Sequence, residues 1–152
     1  MPELSDEMLR LIEALSGKWS IQEHEAGATK NRTGQELWRA GPGGSLIEEY
    51  YSSGETGDSQ GHGVIWWDGT AKGVRALWCD SASGCILLTE LGRWEGDRFT
   101  LSDIREIDGR TVVFRETFSD FTPMSFTQIL EKGPSPDELA TVLTILATRL
   151  SS

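Results

Sequence analysis

His24, His62, Cys79 and Cys85 are the side chains here best suited to ligate a metal or attack a substrate near neutral pH. No Cys or His pair has the spacing of a zinc site, so no metal is expected. The two thiols flank Asp80-Ser81-Ala82-Ser83-Gly84, a turn-like stretch that would bring them close in a hairpin. With no export signal in the chain, they are expected to be reduced structural thiols and not a disulfide. Ser45 follows Gly43-Gly44 but lacks the second glycine of a nucleophile elbow, and it precedes a strand where that elbow precedes a helix. Gly41 to Gly44 has neither a lysine nor a helix after it, so it is a turn and no phosphate cradle. Glu48 and Glu49 are neighbours on a strand and point to opposite faces, so they cannot act together on one bond. No catalytic residue and no cofactor is assigned.

The remaining candidates suit binding. Tyr50, Trp66, Trp78 and Phe114, with Trp94, are rings on predicted strands that either fill a core or line a pocket. His62, Arg115 and Gln128 would orient a ligand, with Glu48 or Glu49 and Glu90 as carboxylates to pair with the arginine. The alternative is an ordinary outward ladder of strand charges. Trp66 and Trp67 are consecutive and must face opposite ways; His62 shares the parity of Val64 and Trp66, so an inward Trp66 brings His62 inward. An imidazole there would serve as a hydrogen-bond donor, a haem ligand or a plain strand residue.

These residues need a scaffold. Leu4 to Leu15 reads as one helix, with Ser5 as cap, Asp6 and Glu7 at the positive end of its dipole, and Leu4 stapled onto Leu9. Met8, Leu11, Ile12 and Leu15 make one apolar face, and Gly17 can turn left-handed just past the end. From Trp19 onward the period becomes twofold. The predicted strands are Lys18 to Glu25, Gly34 to Ala40, Ser45 to Ser53, Gly61 to Trp67, Gly73 to Cys79, Cys85 to Trp94, Arg98 to Glu106, Thr111 to Ser119 and Met124 to Glu131. Asp68-Gly69, Ser83-Gly84, Glu95-Gly96-Asp97 and Asp108-Gly109 are tight turns between them. No gap is long enough for a helical crossover, which favours an antiparallel meander. The tail is two-sided: Ser135-Pro136-Asp137-Glu138 is a capping box, yet Thr141, Val142, Thr144, Ile145 and Thr148 are β-branched. A meander with open edges needs closing, so Leu139 to Arg149 is read as a last strand.

The 152 residues suit one domain, and the formal net charge of −10 disfavours nucleic acid and anionic membrane surfaces as partners. No apolar run approaches the roughly 18 residues of a membrane span, and the acidic start does not look like a signal peptide, which points to a cytoplasmic protein.

On the first strand Trp19 and Ile21 share a face, which puts an indole at one mouth of the meander. On the last, Leu143, Ile145, Ala147 and Arg149 share a face, so closure would lay the Arg149 guanidinium over the Trp19 ring as a clamp. With Leu15-Ser16-Gly17-Lys18-Trp19, Glu49-Tyr50, Gly61 to Asp68, Trp78-Cys79-Asp80-Ser81 and Arg115 to Ser125, the chain resembles the lipocalin-like, or calycin, proteins. More closely it is similar to the bacterial lipocalin-like family of unknown function DUF1579. The resemblance implies an all-β, antiparallel up-and-down barrel of about ten strands with an interior cavity, preceded by a short N-terminal helix over 1–16. The expected function is binding of a small, mostly apolar molecule that enters opposite Trp19 and carries an acidic group if Arg115 faces inward. The alternatives are a proton-transfer or isomerisation enzyme with His62 or Glu90 as base and Arg115 stabilising charge, or a structural or protein-binding barrel, monomeric or dimeric through a strand edge or Trp67.

Overall fold

A computed structural model describes residues 5–151. Helix α1 (Asp6–Leu15) starts where the capping signals place it: the Ser5 hydroxyl accepts from the Met8 N–H at 3.1 Å. Its face of Met8, Leu11 and Leu15 is fully buried. The Leu4 staple lies outside the described residues.

The helix is followed by β1 (Gly17–Glu25), β2 (Arg32–Ala40), β3 (Leu46–Gly54), β4 (Gly57–Asp68), β5 (Gly73–Asp80), β6 (Gly84–Leu87), β7 (Arg93–Glu95), β8 (Arg98–Ile107), β9 (Arg110–Ser119), β10 (Ser125–Gly133) and β11 (Ala140–Arg149). Consecutive strands from β1 to β6 and from β7 to β11 pair antiparallel, and β11 pairs back onto β1 with Arg149 opposite Trp19. The tail is therefore a strand. Its β-branched side chains and the free edge of β1 outweigh the local capping box, which survives only as a turn in which the Glu138 N–H donates to the Ser135 carbonyl at 3.1 Å.

The seam of the barrel lies between β6 and β7, where the single strand expected from Cys85 to Trp94 is interrupted. Residues 88–92 bridge both neighbours instead. Leu88 and Gly92 donate to the carbonyls of Ala76 and Val74 on β5 at 3.0 and 2.7 Å, while Glu90 donates to Ser102 on β8 at 3.3 Å. Thr89 and Asp103 lock the crossing: the Thr89 N–H donates to the Asp103 carboxylate at 3.0 Å, and the Thr89 hydroxyl accepts from the Ile104 N–H at 2.8 Å. A backbone that alternates partners cannot continue along one ladder.

A second correction concerns the thiols. Cys79 and Cys85 stand directly opposite on β5 and β6 with Cα atoms 3.9 Å apart, and they form a disulfide. Direct cross-strand pairing in the tight hairpin brings the two sulfurs together.

The α1 end of the barrel is apolar and closed. Trp19, Trp38, Phe99, Phe118 and Phe126 are fully buried there, with Trp19 edge-on to Phe126 at 4.6 Å and Trp38 edge-on to Phe118 at 5.8 Å. Trp94 fastens the helix over this end: its indole N–H donates to the Glu7 carbonyl at 3.1 Å and the Arg10 guanidinium sits 3.8 Å from its ring centre.

Candidate functional site: the barrel interior

The β1 alternation that buries Trp19 and Ile21 also buries Glu23. Cross-strand register carries this inward face around the wall to Arg32 and Glu36 on β2, Glu48, Tyr50 and Ser52 on β3, Trp78 on β5, Phe114 and Glu116 on β9, and Gln128 on β10. The half of the interior away from α1 is therefore polar.

Its mouth is a connected network. The Tyr50 hydroxyl donates to the Glu23 carboxylate and lies 2.9 Å from Ser52 Oγ. Arg32 is anchored by Ser52 Oγ at 3.2 Å, the Thr56 hydroxyl at 2.8 Å and the Gly57 carbonyl at 2.9 Å, with Glu23 4.0 Å from its Nε. Burial raises the proton affinity of Glu23, opposed by the Tyr50 hydrogen bond and the Arg32 charge. Tyr50 is pushed above its ordinary range by the same burial and by its donation to Glu23.

Deeper in, three carboxyls from β2, β3 and β9 converge across the lumen. Burial pushes Glu36 up to about 8, with the charges of Glu116 and Glu23 adding to it and the Trp38 indole N–H, 2.9 Å from Oε2, opposing it. Burial also raises Glu48 well above the ordinary carboxylate range, helped by Glu36 and Glu116. Glu116 rises to about 7 through burial, held back by the Gln128 side-chain amide, which donates to it at 2.7 Å. Like charges this close in a poorly solvated space keep part of the group protonated at neutral pH. Two oxygens in this belt, Glu36 Oε1 and Gln128 Oε1, are buried and have no hydrogen-bond partner.

The structure brings some sequence-chosen residues together and separates others. Tyr50 and Trp78 meet edge-on at 5.9 Å, and Phe114 and Gln128 share their interior. Trp78 lies against the β4 wall because that wall has no side chains to meet it. A methyl group on Gly61 would fall 2.5 Å from ring atom Cζ2, and one on Gly63 would fall 3.1 Å from Cε3. Four residues expected inside are outside, the first being Glu90, which is exposed at the seam. His62 is exposed opposite Glu49 and Cys79. Trp66 faces outward opposite Arg75, and Trp67 takes the inward position. Arg115 alternates with the inward Phe114, so its side chain leaves the barrel opposite Ser102 and Glu131. It lines an outer groove of about 530 Å³ with Arg93, Arg98 and Glu90. At the sealed end the Arg149 guanidinium lies 4.2 Å from the Trp19 ring centre and donates to the carbonyls of Ser16 at 2.8 Å and Pro123 at 2.7 Å. Gly17, at φ +136°, makes room: a Cβ there would sit 2.2 Å from Arg149 Nη1.

Sequence reasoning missed Glu23, Glu36 and Glu116. The signal was the parity of apolar neighbours: Glu23 follows Trp19 and Ile21, Glu36 precedes Trp38 by two, and Glu116 stands between Phe114 and Phe118.

These elements define an antiparallel up-and-down barrel, capped by a helix at one end and polar within at the other. No protein-family model and no curated protein matches the chain. Among solved structures it is similar to a de novo designed fluorescence-activating beta barrel, with a TM-score of 0.51 at 11% identity, over 91% of this chain and 96% of that one. At that identity the likeness is one of fold.

Proposed function

We propose that the barrel binds a small, mostly apolar molecule in its interior, admitted at the end opposite α1. The observation that carries this reading is a gradient of accessibility along the barrel. Five inward rings at the α1 end are fully buried, whereas in the other half Tyr50, Trp78, Phe114, Glu116, Leu130 and Leu143 keep partial exposure beside the buried Glu23, Ser52 and Gln128. Inward side chains that still meet solvent line a space. The rings offer apolar contact and the carboxyl belt offers orientation, the division usual in ligand pockets. A lipocalin-like kinship, suggested by the Gly17-Lys18-Trp19 opening, fits the same reading, and the designed barrel it resembles in fold is described as fluorescence-activating.

The geometry narrows the alternatives. Arg115 lies outside, so nothing in the interior belt now favours an acidic ligand. His62 and Glu90, the bases of the proton-transfer alternative, lie on the outer face and at the seam. Trp67 faces inward and packs, partly buried, against the core, which weighs against a dimer built on it. Among the described residues no helix is long and apolar enough to cross a membrane. The Cys79–Cys85 disulfide favours an oxidising compartment over a cytoplasmic one.

The test is native mass spectrometry and an absorption spectrum of freshly purified protein, followed by titration with neutral 2-phenylethanol read by tryptophan emission. A retained molecule, or saturable binding abolished by Leu130→Trp, supports the reading. An empty protein that shows no saturable response refutes it.

A further inference from the structure

We propose that the interior site is built for an amine: the ligand's protonated nitrogen docks among Glu36, Glu48 and Glu116, with Gln128 Oε1 as a further acceptor. This rests on the binding reading above and adds to it the chemistry of the ligand.

The interior holds more acceptors than donors. Three carboxyls from three strands share the middle of the lumen, and the cations on the inward face are engaged elsewhere or distant from it. Arg32 is held at the mouth by Ser52, Thr56, Gly57 and Glu23. Arg105 bonds Asp103 at 2.6 Å and the Leu87 carbonyl at 2.7 Å. Arg149 is spent on Ser16 and Pro123 at the sealed end, and Lys132 is exposed at the far end of β10. The remaining titratable neighbours, Glu23 and Tyr50, bond each other. Glu36 and Gln128, 1% and 2% exposed, nevertheless each hold an oxygen with no hydrogen-bond partner. Buried polar atoms are normally paired, so these two call for a partner from outside the chain: a donor for the Gln128 oxygen, and for the protonated Glu36 a cation that displaces its proton.

An ammonium group brings three donors and no acceptor, which is what such a belt lacks. Its charge also offsets the repulsion among the carboxyls. Among the described residues no group of His, Cys, Asp and Glu is arranged to hold a metal ion, so a nitrogen cation fits better than a metal. Binding has a proton signature. Below neutral pH the belt is largely protonated, and a docked ammonium favours its carboxylate form. The reaction is ammonium plus carboxylic acid giving an ammonium–carboxylate pair plus a proton released to buffer.

The test is calorimetric titration at pH 6.5 with three probes of similar shape: 2-phenylethylamine, 2-phenylethanol and 3-phenylpropionate. Each is run in two buffers of different ionisation enthalpy. The amine is expected to bind about tenfold or more tighter than the alcohol, releasing protons where the alcohol releases none, while the propionate binds weakest. Glu116→Gln and, independently, Glu48→Gln should each move the amine's affinity toward the alcohol's. If amine and alcohol bind alike without proton release, or if the propionate binds tightest, the amine inference falls and the cavity reading stands. If no probe binds and nothing co-purifies, the cavity reading falls and takes this inference with it.

Discussion

Glu36→Gln is expected to make the protein more stable, and increasingly so as pH rises. In the fold the Glu36 carboxyl titrates at about 8, against 4.5 in an ordinary setting. Folding therefore raises its proton affinity, and its stabilising contribution is complete below about pH 4.5 and lost as pH climbs through about 8. Over that interval the unfolded chain is ionised at this position while the fold retains its proton, so each pH unit removes about 1.4 kcal/mol of stability. Between pH 5.5 and 8 the loss from this one group is about 3 kcal/mol. Glutamine keeps the shape, lets its amide oxygen accept from the Trp38 indole, and does not titrate. Urea denaturation of parent and variant at pH 5.5, 7 and 8 measures the difference directly. The two should be closest at pH 5.5 and diverge by about 3 kcal/mol at pH 8, a gap of about 6 to 12 °C in melting temperature for a chain of this size. Repulsion within a chain of net charge −10 also grows with pH. It acts on both proteins nearly equally and cancels in the comparison. Parallel stability profiles would refute the placement of Glu36 in a poorly solvated belt.

Arg149→Ala removes one ring stack and two carbonyl hydrogen bonds and should cost about 2 to 3 kcal/mol in chemical denaturation; a loss below about 0.5 kcal/mol would show that the clamp adds nothing to barrel closure. Gly61→Ala drives a methyl group into the Trp78 ring and should destabilise by about 1 to 3 kcal/mol with a shift in tryptophan emission. An unchanged spectrum would place Trp78 away from the β4 wall. Thiol titration of the unfolded, unreduced protein should find no free thiol, and the double change Cys79→Ser with Cys85→Ser should cost about 2 kcal/mol for so short a loop. Two reactive thiols would overturn the disulfide.

The parts of the fold visible in the sequence were those where one local rule acted alone. Ser5, the acidic first turn and Gly17 bound the helix, and punctuation by glycine and aspartate marks most hairpins. The inward phase of β1 follows from Trp19 and Ile21, and the same logic runs up β11 to Arg149. Phase failed on β4, where Val64-Ile65-Trp66-Trp67 is apolar at every position and Gly61 and Gly63 carry no side chain to choose a face. Only pairing with Leu46 on β3 and Ala76 on β5 puts Ile65, and with it Trp67, inside. The break at residues 88–92 was equally hidden, because it depends on Asp103, distant in sequence, meeting Thr89.

The buried carboxyls escaped for a different reason. Assigning faces by polarity sends a glutamate to solvent, so Glu23, Glu36 and Glu116 can be placed inside only by giving the apolar residues beside them precedence. A barrel that only needed to fold would have apolar side chains at these positions, as it does toward α1, where Trp19, Trp38 and Phe118 are fully buried. The polarity rule fails in one half of the lumen, and in that same half several inward side chains, Tyr50, Trp78 and Phe114 among them, remain partly exposed. Packing alone explains neither departure, whereas a molecule that brings its own apolar surface and its own hydrogen-bond donors explains both.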